Sequence, residues 1–361
     1  MIDDHLPGTS RSIHGRSQVD EIPECSEQNN WPDARPLAVA MGTLRYPRVT
    51  SEQSITVSVL ILMCTYNGQR FLGEQLESIQ AQTRHDWHVV VSDDGSHDDT
   101  LKILDRYRSK WGEERITLWQ GPGQGYARNF IATLCNESLS AYHYAWCDQD
   151  DLWKEDKLQA AVGWLQSVPE NTPALYFGRT QLVDESGATL GYSPLFRRPP
   201  SFANALVQNI GGGNTMVLNH AARMLLKKAG PNLDIVSHDW WAYLLVTGVG
   251  GKVFYDPKAY VQYRQHSNNL VGSNANWQAR ITRLRMMFEG RFKVWNNINV
   301  AGLETVIDSL TQENRQVFER FKALRTESLL HRLSGLKRSG IYRQTLLGNL
   351  GLTMAAIMRK I

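Results

Sequence analysis

The run TVSVLILMCTYNG, Thr56 to Gly68, is almost wholly apolar, shows no alternation and stops at Asn-Gly. A strand with one wet face alternates. A strand covered on both faces has no need to, so this run reads as an inner strand of a parallel sheet. The residues that follow fit that reading. QRFLGEQLESIQAQ sets Phe71, Leu72, Gln75, Leu76 and Ile79 at helical spacing. WHVVVSDDGSHDDT then gives a second short strand, an acidic turn and another helix start. In that turn Ser96 is the expected N-cap, with Asp99 three residues on in a capping-box pattern. RITLWQ is a third strand, and GPGQGYARNFIATLC is a Gly-rich loop opening a helix. YHYAWCD is a fourth strand, with Tyr142, Tyr144 and Trp146 along one face. Strand and helix in regular alternation predict an α/β fold with a mostly parallel, doubly wound sheet.

Such sheets bind ligands beyond the carboxyl ends of their strands. Tyr66-Asn67, Asp93-Asp94 and Asp148–Asp151 all fall at those ends, so three polar clusters are expected on one rim. Farther on, ALYFGRTQLVD and TMVLN read as strands, with Gly211–Asn214 before the second, and HDWWAYLLVTG as a helix. KVFYDPKAYVQYRQHSNN reads as extended structure closed by a polar loop. From Trp277 the chain turns helical and basic, with Arg280, Arg283, Arg285, Arg291 and Lys293. The expected divisions are an extension over 1–54 without periodicity, an α/β domain over 55–275 and a helical region over 276–361.

Composition narrows the classes. The 361 residues are 42% hydrophobic and 21% charged, ordinary for a globular protein, and the net charge of +3 gives no argument for nucleic acid. The 4 Cys form no CxxC pair and no zinc spacing, which suits a reducing, cytoplasmic setting. No run reaches the ~18–20 apolar residues of a membrane span.

Five clusters carry possible chemistry. Asp148, Asp150 and Asp151 repel one another unless a cation or donors offset the charge. Mg²⁺ or Mn²⁺ often takes one or two carboxylates plus substrate phosphates. An EF-hand is excluded, because the required Gly and Glu are missing. The plain alternative is a solvated acidic turn. Asp93-Asp94 could hold a ribose hydroxyl or a base, or simply form an Asx-turn. GPGQGYARN could offer backbone N–H groups, and Arg128 a charge, to a phosphate; plain helix initiation is the alternative. Asp239 is either a first-turn acid of its helix or a general base desolvated by Trp240 and Trp241, with His238 as another candidate base. Arg264 and His266 could reach leaving phosphates, or belong to a surface loop.

Taken in order, SVLILMCTYNG, LESIQAQT, VVVSDDGSHDDT, GYARNF, CDQDDLW, HDWW and RQHSNN resemble the inverting family 2 glycosyltransferases of GT-A fold, over about Ser58 to Asn269. The resemblance implies that Tyr66 and Asp94 contact the base and ribose of a nucleotide sugar, with Thr65 and Asn67 nearby. It implies that Asp148 and Asp150 form a DxD site for Mg²⁺ or Mn²⁺ and the diphosphate, with Asp151 adjacent; Arg128 and His266 remain candidate contacts to the nucleotide sugar on their own chemistry. It makes Asp239 the catalytic base; Asp151, Trp240 and Asn214 are further candidates for contact with the donor or acceptor sugar. DQDDLW and RQHSNN look most like the rhamnosyltransferase branch that uses dTDP-rhamnose for bacterial surface polysaccharides such as lipopolysaccharide. Cys64 departs from the hydroxyl residue relatives often carry. The Gln-x-x-Arg-Trp motif of processive synthases is absent, so transfer of a single sugar is expected. The acceptor would be a saccharide or lipid-linked saccharide, and the basic C-terminal helices could touch the inner membrane face. The alternatives are a sugar-nucleotide nucleotidyltransferase and a non-catalytic sugar-nucleotide-binding subunit.

Overall fold

The computed structural model of the chain describes residues 57–266 and 290–361. The expected extension over 1–54, the polar segment from Ser267 and the stretch with Arg280, Arg283 and Arg285, expected to be helical, therefore lie outside the described residues. The first half alternates as expected: β1 Val59–Thr65, α1 Leu72–Gln80, β2 Trp87–Asp93, α2 Thr100–Trp111, β3 Ile116–Gln120, α3 Tyr126–Cys135 and β4 His143–Cys147. These strands are all parallel, in the order β3-β2-β1-β4. Register sets their ends level: Thr65 pairs Asp93, Asp93 pairs Gln120, and Met63 pairs Cys147. That alignment creates the polar rim.

The unbroken apolar run of β1 has a direct cause. Val59, Ile61 and Met63 pack with Leu72, Leu76 and Ile79 on one face, while Leu60, Leu62 and Cys64 pack with Phe130, Ile131 and Leu134 on the other. Every residue of the strand is buried. Tyr144 and Trp146 of β4 are buried too, but Tyr142 lies outside the strand and is exposed, so it does not brace the sheet. Ser96 is not the cap of α2. That helix starts four residues later, with Asp99 at its N-cap, because Ser96 is committed to Asp93 and to the β1 loop.

The second half adds β5 Leu152–Trp153, α4 Lys157–Leu165, β6 Ala174–Val183, β7 Thr189–Tyr192, the short α5 Phe202–Ala205, β8 Val217–Asn219, α6 His220–Ala229, α7 His238–Gly248 and β9 Lys252–Arg264. The sheet continues β4-β8-β6-β9-β5, with β8 antiparallel to both neighbours, β5 antiparallel to β9, and β7 a side pairing on β6. Among the described residues four helices follow: α8 Arg291–Thr305, α9 Gln312–Thr326, α10 Leu329–Ser339 and α11 Leu346–Ile357. Leu303, Phe318, Phe321, Leu324, Leu352 and Ala356 join one core with Trp240, Trp241 and Leu60. This explains why α7 is apolar all round: the sheet covers one side and the C-terminal helices the other. No helix of the described residues is long and apolar enough to cross a membrane.

Candidate active site

The β1 and β2 loops are fastened to each other by reciprocal bonds. Asn67 sits at φ 48, a left-handed conformation that Asn tolerates. Its N–H donates to Ser96 Oγ at 2.8 Å, and its side-chain oxygen accepts from the His97 N–H at 2.9 Å. Gln69 and Asp98, and Gly68 and Thr100, add further cross-loop bonds. Asp93 is a structural hub: it accepts from Thr65 Oγ1 (2.7 Å), Ser96 Oγ (2.6 Å) and the N–H groups of Gly95 and Ser96. Thr65 is thereby buried and occupied, while Tyr66 beside it is exposed. Gln149 pairs with both backbone groups of Tyr66, accepting from its N–H at 2.9 Å and donating to its carbonyl at 3.0 Å. That pairing needs Gly68, since a Cβ there would lie 2.3 Å from Gln149 Oε1.

The Gly-rich loop does meet an anion, but that anion is Asp94. Its two carboxylate oxygens accept from Gly123 N–H (2.7 Å) and Gly125 N–H (2.8 Å), where both glycines have positive φ. Arg128 is not aimed at this rim in isolation. Its guanidinium pairs with exposed Asp234 at 2.7 Å.

The acidic cluster divides into three different environments. Asp151 is fully buried; Asn214 Nδ2 donates to one oxygen at 2.5 Å and the Arg264 N–H to the other at 3.2 Å. Desolvation and the neighbouring charges of Asp150 and Asp148 push its carboxyl well up. It is therefore a buried tether to Asn214 and β9, and neither residue offers an exposed sugar-binding surface. Asp150 is half-buried and its Oδ2 lies 3.0 Å from His266 Nε2. Asp148 is half-buried and, alone of the three, its carboxylate makes no hydrogen bond to a described side chain or backbone N–H. Burial, Asp150 and Asp239 push it up to about 7. Lys157, buried behind the cluster against the Trp153 ring, opposes that push and is itself pressed down to about 7 by burial.

Arg264 does not reach for a phosphate. It is buried, and its guanidinium binds the Asp150 carbonyl (3.1 Å), the Glu185 carbonyl (2.6 Å) and Glu74 (2.6 Å). It anchors the end of β9 under the acidic turn.

Asp239 opens α7. Its Oδ1 accepts from Ser237 Oγ and the Trp240 N–H (2.7 Å), and its Oδ2 from the Gly213 N–H (3.2 Å). The tryptophans do not wall it. Trp240 is buried and donates its indole N–H to Ala205 O at 2.7 Å, and Trp241 packs near Gly302; both serve the core rather than a sugar. His238 is buried as well, stacked 4.2 Å from Phe130 and edge-on to Trp146 at 4.6 Å. Desolvation pushes it down to about 4, so it is a neutral core residue and no solvent-reached base.

The fold thus brings Asp148, Asp150, His266 and Asp239 to one rim, with Tyr66 and Asp94 beside them. Tyr126 belongs there too: its hydroxyl is pushed up to about 12 by burial and then by the charges of Asp239 and Asp148. Gln149, Tyr126 and Gly213 carry no sequence signal of their own; only proximity to known motifs could have marked them. A divalent cation fits the donor set. Asp148 offers an unpartnered oxygen-donor carboxylate beside Asp150, and no group of three metal-ligating side chains exists among the described residues, so phosphate and water would complete the shell.

Comparison with known proteins gives the family. Residues 60–229 match the sequence profile described as glycosyl transferase family 2. The chain is 30% identical over 239 residues to the dTDP-rhamnosyl transferase RfbG of Shigella flexneri, covering 62% of this chain and 78% of that one. It is 26% identical to the putative teichuronic acid biosynthesis glycosyltransferase TuaG of Bacillus subtilis, over 61% and 83% of the two chains. In backbone it resembles the mannosyltransferase PcManGT of Pyrobaculum calidifontis, solved with GDP-Man and Mn²⁺, at TM-score 0.45 and 18% identity over 86% and 89% of the chains. The chain belongs to glycosyl transferase family 2.

Proposed function

We propose that this family 2 glycosyltransferase moves a single sugar from a nucleotide-sugar donor to an acceptor hydroxyl with inversion at the anomeric carbon. The first candidate donor is dTDP-rhamnose, and the acceptor a saccharide or lipid-linked saccharide of a bacterial surface polysaccharide such as lipopolysaccharide, built on the cytoplasmic side. Similarity to RfbG supports the choice of donor. The observation that supports the reaction is geometric: adjacent residues Gly213 and Asn214 bind Asp239 and Asp151, which ties the held carboxylate of Asp239 to the acidic turn where the Asp148 carboxylate has no hydrogen-bond partner among the described residues.

A carboxylate has about four acceptor sites, and three donors occupy those of Asp239. The remaining site, on Oδ2, takes the proton of the acceptor hydroxyl. Ser237, Gly213 and the Trp240 N–H fix the direction from which that proton arrives. The acceptor oxygen attacks opposite the diphosphate, so no covalent enzyme intermediate forms and no protein nucleophile is required. Buried Cys64 and Cys147, with thiols pushed well up by desolvation, suit that reading. Asp148 and Asp150 would hold Mg²⁺ or Mn²⁺, which offsets charge developing on the leaving diphosphate. His266 steadies Asp150, and Tyr66, exposed on the rim, supplies a face for the base.

The test is release of nucleoside diphosphate from a panel of sugar nucleotides with Mn²⁺ or Mg²⁺ and a saccharide acceptor. Turnover with dTDP-rhamnose above all others is expected. No turnover and no binding of any donor refutes the reading, and pyrophosphate release from a nucleoside triphosphate would replace it with nucleotidyl transfer.

A further inference from the structure

The last two helices present a surface that the transfer reaction does not use. α11 has no charged side chain. Leu352, Ala355 and Ala356 bury one face of it, while Leu346, Leu347, Leu350, Met354 and Ile357 stay exposed, Leu346 to 86%. Positions 346, 350, 354 and 357 follow one another at helical spacing and form a stripe. The neighbouring α10 adds Leu329 and Leu330. Of the 16 large apolar side chains exposed among the described residues, seven lie in these two helices, so they form a concentration and not a scatter.

The side-chain charges within this segment have one sign. From Leu329 to Ile361 the sequence holds six Lys or Arg and no Asp or Glu. Arg332 is buried and binds the carbonyls of Ala356 and Glu327, but Lys337, Arg338 and Arg359 are exposed. The link between the two helices is fastened to a second basic segment. Gln344 and Arg198 exchange bonds at 3.1 and 3.0 Å, and Tyr342 donates to the Pro199 carbonyl at 2.7 Å. Arg197 and Arg198 there are exposed.

A second copy of the chain would bring the same positive charge against itself. A nucleic acid would leave the leucines wet. An anionic bilayer answers both features, taking the leucines into its acyl boundary and the cations among its headgroups. We propose that α11, with Lys337, Arg338, Arg359 and the Arg197-Arg198 segment around it, docks the protein peripherally on an anionic lipid surface. The fastened segment runs on to Gly213 and Asn214, which bind Asp239 and Asp151. The docking does not rest on the transferase reading.

Flotation of the full chain with vesicles tests this directly. Wild type should float with phosphatidylglycerol-containing vesicles and not with phosphatidylcholine alone. Leu346→Asn/Leu350→Asn/Met354→Asn should weaken binding at least ~10-fold. Lys337→Gln/Arg338→Gln/Arg359→Gln, which leaves the apolar face intact, should weaken it by about 100-fold at low salt. Both variants should keep transfer to a soluble acceptor. Absence of flotation with anionic vesicles, or equal flotation of wild type and the charge variant, overturns the proposal. So does a concentration-dependent dimer by light scattering that the leucine variant abolishes, which would make the stripe a subunit interface.

Discussion

Asp239 has three donors and one open acceptor site, so its amide analogue can keep the two bonds at Oδ1 while it loses the one from Gly213 and its basicity. Asp239→Asn is expected to lower kcat at least ~100-fold while calorimetric donor affinity stays within about 3-fold. A second prediction belongs to His238. Its folded-state value of about 4 lies below the ordinary 6.5. Between those values the unfolded chain binds a proton that the folded chain does not, so stability is full above pH 6.5 and falls as the pH drops towards 4. The loss amounts to about 3 kcal/mol. Tm followed from pH 7 to 4.5 should show it. His238→Leu, which cannot titrate, should start lower at pH 7 and fall less steeply. Equal slopes would mean that other groups cause the acid loss.

At the scale of elements, the site depends on how β9 ends. Arg264 ties that end to the Asp150 carbonyl, the Glu185 carbonyl and Glu74, and its own N–H meets Asp151. Arg264→Met should cost about 3 kcal/mol in urea unfolding, since buried acceptors lose their donor. Glu74 is mostly solvated, so Glu74→Gln should cost less than about 1 kcal/mol. A similar cost for both would mean that the ion pair, and not the carbonyl contacts, holds the turn. The same logic applies to the β1 loop, where Gly68 leaves room for the two hydrogen bonds between Gln149 and the Tyr66 backbone. Gly68→Ala should displace Gln149 and raise the donor KM several-fold with little change in Tm.

Over the whole molecule, the C-terminal helices are part of the main core. Ile341, Leu352, Ala355, Ala356 and Ile361 pack in one cluster with Trp240, Trp241 and the even-numbered residues of β1. Urea unfolding should therefore give one transition, with circular dichroism and tryptophan fluorescence coinciding. Deleting residues 329–361 should lower the midpoint sharply or leave the protein insoluble. A truncated chain as stable as the whole would show that these helices fold apart from the sheet.

Much of this protein is legible in its sequence. An apolar run without alternation needs two covered faces, so Thr56–Gly68 dictated a central parallel strand. The spacing of strands and helices then put Tyr66, Asp94 and Asp148 on one rim, because parallel strands share an end. Helical pattern also located α7 and placed Asp239 in its first turn. What the sequence could not determine is where each polar group spends its hydrogen bonds, since those partners lie tens to hundreds of residues away. Asp94 meets the Gly-rich loop, Arg264 turns inward to the acidic turn, and Trp240 faces the core, each because its packing neighbours leave no other place for it. Three aspartates within four residues look alike as letters. Only the tertiary structure buries Asp151, pairs Asp150 with His266 and leaves Asp148 open, because burial and distance, and not residue type, set the cost of a charge.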